Sequence, residues 1–460
     1  MSESVERQLG ADSNLRSGAC PSNKRQGKLK RPGLLTKLKG NTLLAGTAVY
    51  LLSNMLNAII PFALLPVLTR YLSPEEYGQV AMFQTLLGAL MAFIGLSMQG
   101  AAGRKFYDGN LGKDDLGEYI GACLQILLVT TLITLAILSA FSERFTDWLG
   151  LDEKWLLAAV VVTAANVVIQ LRLGQWQVRK QAVKYGVLQT SRSLLDLVLS
   201  LGLVVVLLQG ADGRISAQVW ATTIFSILAL WLLKRGGLLS LLCWRPAYIR
   251  EILRFGVPLI PHVGGVFLLV SVDRFIINAE LGLAQTGIYM VAVQFAAALA
   301  LVFDSINKAY VPWLFERLKR DQMSEKRQVV RFTYIWYAII LCGAALTFAI
   351  GPWLVTWVAG DEYARAGEVI GWLALGQVFG GMYLMVTNYI FFSRRTGLLS
   401  LMTLVSGLLN VVLLVLLIGR FGLEGAAYSF CIAMAVRFLL TWWVAQKRHP
   451  MPWFNLRTQS

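Results

Sequence analysis

Charged residues are scarce in this sequence. Only 15% of the 460 residues are Asp, Glu, Lys or Arg, whereas about 25% is usual in soluble domains. Histidine occurs twice, and the five cysteines are scattered without a C-x-x-C pair. The sequence therefore predicts neither a metal site nor a disulfide framework. Walker A, G-x-G-x-x-G and H-E-x-x-H motifs are also missing, so we expect no nucleotide cofactor and no zinc-protease chemistry.

The abundant feature is hydrophobic sequence. Hydrophobic residues make up 56% of the chain, and the mean hydropathy is +0.60. A helix that spans a bilayer needs about 20 mostly apolar residues, whereas a barrel strand needs about ten that alternate. About twelve segments meet the helical criterion, with approximate bounds 42–68, 79–100, 119–141, 155–172, 186–209, 214–233, 254–277, 287–309, 332–358, 367–392, 398–418 and 423–445.

Lys and Arg are distributed unevenly between the connections that join the twelve predicted segments, numbered in chain order. Both tails and the even-numbered connections hold 33 of the 42 basic residues, and the odd-numbered connections hold 6. Because basic residues accumulate on the cytoplasmic side, this asymmetry predicts that both termini are cytoplasmic. The basic residues that produce the net charge of +16 lie mostly in these connections and form no single patch, so we expect no nucleic-acid partner.

Two pairs of glycines share one spacing. Gly78 and Gly287 are 209 residues apart, as are Gly213 and Gly422. Six segments in each half give both halves the same orientation, which predicts two parallel six-helix lobes. Residues 1–40 are polar and basic, which is typical of a disordered cytoplasmic tail and not of a signal peptide. The expected division is a tail over 1–40, lobes over 41–235 and 251–446, a cytoplasmic linker over 236–250 and a tail over 447–460.

Two stretches resemble one family of transporters. NAIIPFALLPVLTRYLSPEEYGQVAMFQ resembles the first helical hairpin of bacterial polysaccharide flippases, the O-antigen and exopolysaccharide exporters of the multidrug/oligosaccharidyl-lipid/polysaccharide superfamily. SVDRFIINAELGLAQTGIYMVAVQ, which contains Asp273 and Arg274, resembles their seventh and eighth helices. The resemblance implies an all-α integral membrane fold of about twelve helices in two parallel lobes, MATE-like and without a soluble domain.

The same resemblance implies a function. It is transport of undecaprenyl-diphosphate-linked oligosaccharide from the cytoplasmic to the periplasmic leaflet of a bacterial inner membrane, by alternating access and without enzymatic chemistry. The expected partners are that lipid-linked glycan, membrane lipids and polysaccharide polymerase or assembly proteins. One alternative is a multidrug/cation antiporter, which needs an acidic cavity. Another is a membrane polysaccharide polymerase or glycosyltransferase, which needs a sizeable periplasmic loop.

Polar side chains follow one face of segment 1. Tyr50, Asn54, Asn57 and Pro61 recur at helical spacing. Amides are costly against lipid, so we expect this face to point inward, either as a sugar-contacting cavity wall or as interhelical hydrogen bonding. Gln84 in segment 2 is a further cavity candidate.

Prolines occur in corresponding segments of the two halves. Pro61 and Pro66 lie in segment 1, and Pro258 and Pro261 lie in segment 7. Proline removes a backbone hydrogen bond and kinks a helix. The pattern predicts either gating kinks or static bends.

Three sets of charges lie inside apolar segments, where charge is expensive. Arg192 and Asp196 are four residues apart, as are Asp304 and Lys308, and this spacing predicts pairing within each helix. The adjacent Asp273 and Arg274 point about 100° apart on a helix, so we expect them to need other partners. All three sets either brace the lobes or form a cationic cavity or proton path.

Arg437 in segment 12 has no acidic residue within four positions. A guanidinium facing the cavity would offer a fork of donors that matches phosphate oxygens. The alternatives are that Arg437 reaches the cytoplasmic headgroups or pairs with Asp304. Arg437, Arg192 and Arg274 are thus the predicted phosphate-binding residues.

Overall fold

The computed structural model describes residues 34–108, 112–241, 243–393 and 397–454. The chain divides at residue 46, and the packing described concerns the unit from residue 46 onward. Most of the predicted tail over 1–40, the end of the second predicted tail over 455–460 and the side chain of Tyr50 lie outside the described part.

The described part of the chain is helical and contains no strand. Its helices, numbered in chain order, are α1 Leu34–Tyr71, α2 Pro74–Gly95, α3 Met98–Phe106, α4 Lys113–Ala140, α5 Ser142–Leu149, α6 Glu153–Val178, α7 Ala182–Ser200, α8 Gly210–Arg235, α9 Pro246–Gly256, α10 Ile260–Val270, α11 Asp273–Leu281, α12 Leu283–Arg320, α13 Met323–Ala359, α14 Ala366–Phe392 and α15 Gly397–Arg448. A π-helical turn, Leu201–Val206, extends α7.

All twelve predicted segments fall on helices. Within the described residues, ten helices are long and apolar enough to cross a membrane. One of these, Leu398–Arg448, contains Gly422 with φ 55° and ψ −131°. This non-helical residue separates the eleventh predicted segment from the twelfth. The two predicted segments 398–418 and 423–445 therefore lie on either side of a break in the helix.

The seventh predicted segment is divided, in contrast to the single helix that was expected. It begins within α9, passes through a 3-10 turn at Val257–Leu259, and continues as α10 and α11. Pro258 lies in the turn and Pro261 in the first turn of α10, where a missing backbone N–H is tolerated. In the first half, Pro61 and Pro66 lie inside the continuous helix α1.

The start of α2 shows why YLSPEEYG stands between two apolar runs. Ser73 caps the helix, and the Ser73 and Glu76 side chains exchange hydrogen bonds with each other's backbone N–H. This capping box and Pro74 at the first helical position fix a tight turn. Gly78 then packs against α12, where an added Cβ would lie 2.1 Å from the Leu283 carbonyl oxygen. The motif therefore brings the two halves into backbone contact at this end.

A hydrogen-bond chain links the halves beside that contact. The Tyr77 hydroxyl donates to Gln294 Oε1 (2.7 Å), and Gln294 Nε2 donates to the Pro61 carbonyl (2.7 Å). The Pro61 carbonyl thus has a partner on α12. One large apolar cluster, which includes residues of α2, α6, α12 and α14, fills the surrounding interior.

Candidate functional site

A polar pocket of about 260 Å³ lies between α1, α6, α7 and α8. We call it the Arg192 pocket; its lining residues are Asn57, Ile169, Leu173, Gln189, Arg192, Ser193, Asp196, Gln218 and Thr222. The α7 residues recur at three- and four-residue intervals, which places them along one helical face. An isolated polar stripe of this kind inside an apolar helix marks a surface that faces protein or water and not lipid.

The carboxylate of this pocket is bound by a residue of another helix. Asp196 accepts from both terminal nitrogens of Arg214 on α8, at 2.8 and 3.3 Å. Arg214 also donates to Ser200 Oγ at 2.9 Å and is only 7% exposed. The prediction that Asp196 pairs with Arg192 is therefore wrong: a bidentate partner on α8 is geometrically better than a neighbour on the same helix.

Arg192 has no carboxylate at ion-pair distance among the described residues, although the charge of Asp196 lies in the same pocket. Its Nη2 donates to Thr222 Oγ1 at 3.2 Å, and the described residues include no ion-pair partner for it within 4.0 Å. With Asp196 bound by Arg214, the two arginines and one aspartate leave one uncompensated positive charge. A cation of this kind inside a membrane-spanning bundle attracts an anionic group.

Unsatisfied acceptors lie beside Arg192. The side-chain oxygens of Gln189 and Gln218 are buried and have no hydrogen-bond partner. Buried polar atoms are rarely left unpaired unless water, an ion or a ligand completes them. The pocket can therefore accept hydrogen bonds from hydroxyl groups next to a bound anion. Neither glutamine was predicted from sequence, although Gln189 lies three residues from Arg192 and Gln218 four from Arg214.

The face of α1 that carries Asn57 is only partly confirmed. Asn57 lines the Arg192 pocket, and its side-chain oxygen accepts a hydrogen bond from Ser193. Its amide nitrogen donates to the Ser53 carbonyl at 2.6 Å. Asn54 and Pro61 are exposed and do not line this pocket. A helical face spans more than 100°, so residues along it need not meet the same neighbour.

Asp273 and Arg274 form a separate buried network. Arg274 Nη1 lies 2.9 Å from Asp273 Oδ1 and also donates to the Val270 carbonyl. The Tyr289 hydroxyl donates to Asp273 Oδ2 at 2.7 Å. The expected other partners are therefore present, Tyr289 for Asp273 and the Val270 carbonyl for Arg274. The two residues also pair with each other, because the break at residues 271–272 lets the arginine fold back over the first turn of α11. Arg274 lies outside the Arg192 pocket.

The pair on α12 is confirmed. Lys308 Nζ lies 2.6 Å from Asp304 Oδ2, and both side chains are about half exposed. Arg437 pairs with neither of them. Its guanidinium lies 3.9 Å from the ring centroid of Tyr383 on α14, and its Nε is buried without a hydrogen-bond partner. Gln84 is half-buried and does not line the Arg192 pocket.

The fold and this pocket define a polytopic helical membrane protein with charged groups enclosed among its helices. The family described as "Polysaccharide biosynthesis protein" matches residues 43–318. This match covers more than half of the 460 residues, and the chain belongs to that family. The expected all-helical, MATE-like membrane fold is confirmed by the solved structures that follow.

Two relatives and two solved structures show the extent of the similarity. An uncharacterized membrane protein of Haemophilus influenzae is 27% identical over 79% of this chain and 88% of its own length. The "Probable low-salt glycan biosynthesis flippase Agl15" of Haloferax volcanii is 20% identical over 85% and 80%. The lipid II flippase MurJ, in an inward closed conformation, superposes with TM-score 0.69 and 14% identity over 88% and 87%. A MATE-family multidrug transporter gives TM-score 0.61 and 16% identity over 87% and 94%.

Proposed function

We propose that this protein is a flippase for an oligosaccharide carried on undecaprenyl diphosphate. It moves the lipid-linked glycan from the cytoplasmic to the periplasmic leaflet of a bacterial inner membrane, for O-antigen or exopolysaccharide synthesis. Polysaccharide polymerase or assembly proteins would receive the product. Family membership supports the polysaccharide context, and the similarity to a probable glycan biosynthesis flippase of Haloferax volcanii supports flippase activity.

The observation that carries the proposal is the uncompensated charge of Arg192. A diphosphate and its sugars cannot cross about 30 Å of hydrocarbon unaided. Arg192 presents a planar set of donors that suits phosphate oxygens, and it lies beside amide oxygens that can accept from sugar hydroxyls. The polyprenyl tail needs no such site because lipid solvates it.

Arg437 is a second candidate for phosphate contact in the other half of the chain. Its guanidinium stacks on Tyr383 and is not bound to any described carboxylate. Stacking holds the guanidinium plane while leaving its outer N–H groups available. During alternating access, one of the two arginines, Arg192 or Arg437, would bind the diphosphate before the other releases it. Because the sequence carries no nucleotide motif, we propose that a cation gradient or removal of the product supplies direction.

The charge arrangement disfavours the alternative of a multidrug/cation antiporter. A cationic drug or coupling ion needs a free carboxylate in the cavity. In the Arg192 pocket, the only lining carboxylate is Asp196, and Arg214 binds it with two contacts. A glycosyltransferase or polymerase would need catalytic acids on a large loop, whereas the described connections between helices are short.

A flipping assay in proteoliposomes tests the proposal. Lipid-linked oligosaccharide is placed in one leaflet, and its arrival in the other is measured by accessibility to an added glycosidase. We expect wild-type protein to accelerate transfer and Arg192→Gln to reduce the rate about tenfold or more, the scale of one lost charge-assisted hydrogen bond. Arg250→Gln, which removes an exposed charge on α9, serves as the matched control.

Two results would contradict the proposal. The first is a wild-type protein that does not move the lipid-linked glycan although it is correctly inserted. The second is equal transfer by Arg192→Gln and Arg250→Gln, which would remove Arg192 from the transport site. Size-exclusion profiles and melting temperatures of both variants separate a transport defect from misfolding.

A further inference from the structure

A second cavity, of about 490 Å³, lies between the two halves of the chain. Its walls come from α2, α3 and α6 on one side and from the junction of α9 and α10 on the other. We call it the glutamine cavity, after Gln99, Gln170 and Gln177, which line it. Its volume falls within the range of small-molecule sites. It is distinct from the Arg192 pocket, with which it shares no lining residue.

The glutamine cavity is uncharged, and it places polar side chains on a largely apolar wall. Among its described lining residues there is no Asp, Glu, Lys or Arg. The described residues supply no hydrogen bond to the side chains of Gln99, Gln170 and Gln177. Each amide therefore keeps two donors and an acceptor available. Such a lining suits an uncharged ligand with many hydroxyl groups, because each hydroxyl both donates and accepts.

Backbone geometry at the cavity is unusual. Leu96 and Ser97, which join α2 to α3, have φ values of 40° and 51°. Two consecutive non-glycine residues in the left-handed region are unfavourable and tend to mark functional sites. The Ser97 side chain makes no capping hydrogen bond to α3, so its hydroxyl remains available to a ligand. The strained junction thus presents Ser97 and Gln99 to the same cavity.

Glycines bring the cavity walls together. An added Cβ at Gly256 would lie 2.3 Å from the Leu96 carbonyl oxygen, so α9 and the strained junction are in backbone contact. Gly174 lies against Gln99, where a Cβ would be 3.0 Å from its Cγ. At both positions the missing side chain lets two parts of the chain pack closely, which fixes Gln99 and the strained junction in the cavity wall.

The two cavities lie at the same height along α6. Ile169 and Leu173 line the Arg192 pocket, whereas their sequence neighbours Gln170 and Gly174 line the glutamine cavity. Adjacent residues point about 100° apart on a helix. A cationic pocket and a neutral cavity with amide side chains therefore occupy neighbouring faces of one helix. They complement the two parts of a glycosyl diphosphate, its anionic diphosphate and its uncharged sugars.

We infer that the glutamine cavity binds the uncharged sugars of the transported glycan, with Gln170 as the central contact. The inference rests on the proposed function and deepens it by assigning the sugar and the diphosphate to different residues. Because both halves of the chain form the walls, the sugars would contact α6 and α10 together. Movement of one half relative to the other would then break these contacts and release the glycan.

Binding of two related lipids tests this inference. The first is the polyprenyl-diphosphate-linked glycan extracted from the source cell, and the second is the polyprenyl diphosphate left after enzymatic removal of its sugars. The ratio of their Kd values on the purified full-length protein measures the contribution of the sugars. We expect wild type to bind the glycosylated lipid more tightly than the bare diphosphate. In Gln170→Met, the ratio of the two Kd values should shrink roughly tenfold. Affinity for the bare diphosphate should stay unchanged.

Matched variants make the result specific. Methionine keeps the length of glutamine and removes only its donors and acceptor. Gln328→Met, at an exposed position of α13, is the control and should behave as wild type. Gln177→Met is a second test at an exposed site near the end of α6, where substitution disturbs folding least. It should reduce the preference in the same direction.

The outcomes separate the inference from the proposed function. If wild type prefers the glycosylated lipid and both Gln170→Met and Gln177→Met keep the full preference, the inference is overturned and the proposed function stands. If wild type binds both lipids with equal affinity, the protein has no sugar subsite and the inference is overturned. If wild type binds neither lipid, the proposed function is wrong and the inference falls with it.

Discussion

Gly287 lies against the backbone of α2 so closely that an added Cβ would fall 2.8 Å from the backbone nitrogen of Gly78 and 1.9 Å from the Pro74 carbonyl oxygen. The reverse relationship also holds, because a Cβ on Gly78 would fall 2.1 Å from the Leu283 carbonyl oxygen. Pro74 and Leu283 are separated by the same 209 residues as the two glycines. Each half of the chain therefore uses one repeated glycine to approach the equivalent turn of the other.

This reciprocal contact closes one end of the bundle. The Tyr363 hydroxyl, in the second half, donates to the Leu72 carbonyl at 2.8 Å, and Gln294 joins Tyr77 to Pro61 nearby. If transport proceeds by alternating access, these contacts must separate in the opposite conformation. The two glycines are thus the positions at which a small substitution should act on the conformational equilibrium.

Gly78→Ala should destabilise this closed contact. Overpacking by one methyl group typically costs about 1–3 kcal/mol, and the neighbour here is backbone, which cannot rotate away. We expect a lower melting temperature and greater accessibility of Leu72 and Tyr77 positions to thiol reagents in single-cysteine variants. Gly88→Ala on the same helix is the control, since its nearest neighbour is a Phe267 ring carbon at 3.7 Å. Equal behaviour of the two variants would show that the contact is not tight in solution.

Asp196→Asn should destabilise the protein more than Arg192→Gln. It leaves Arg214, only 7% exposed, without its carboxylate, and removing one partner of a buried pair costs about 3–5 kcal/mol. Arg192 has no ion pair to lose. The double variant Asp196→Asn, Arg214→Gln should recover part of the loss because position 214 no longer carries an unpaired buried charge. Denaturant unfolding of the detergent-solubilised protein measures these differences. A double variant less stable than Asp196→Asn would argue against the pair.

Arg437→Gln should abolish most transport while leaving expression and insertion intact. The guanidinium stacks on Tyr383 and has no described carboxylate partner, so its loss removes a charge without leaving another one exposed. Arg437→Lys should retain partial transport, since an ammonium still attracts phosphate but lacks the planar fork. The flipping assay provides the measurement. Normal transport by Arg437→Gln would restrict this residue to a structural role.

His449, just after α15, should make stability depend on pH. Its ring stacks on Tyr389, with centroids 6.2 Å apart, and its Nε2 is buried without a hydrogen-bond partner. Burial, followed by the positive charge of Lys326, lowers the pKa of His449 below its ordinary value of 6.5, and Asp321 opposes this shift. The unfolded chain therefore binds the proton more readily, and stability is lost as pH falls below about 6.5.

Melting temperatures between about pH 7.5 and pH 5.5 test the role of His449. The decrease over this range should be smaller in His449→Gln than in wild type, because glutamine has no proton to take up on unfolding. The comparison is made at constant ionic strength and detergent concentration. An unchanged pH dependence in the variant would assign the effect to other groups.

Much of the fold could be read from single segments of sequence. The apolar runs place all twelve predicted segments on helices, because a spanning helix needs a minimum length of hydrophobic residues whatever surrounds it. The paired acid and base on α12, four residues apart, also meet as expected, since that spacing is a property of the isolated helix. The glycine repeat at positions 78 and 287 is likewise visible as a spacing.

The contents of the site depended on tertiary structure. Helical periodicity identifies which residues share a face, but it does not say which other helix that face meets. Asp196 could satisfy the spacing rule with Arg192, yet α8 brings Arg214 into bidentate contact and leaves Arg192 unpaired. Likewise, the break before α11 lets Arg274 reach the adjacent Asp273. Sequence determined the helices and where charge enters the membrane, whereas packing between helices decided which charges are neutralised and which remain to bind a ligand.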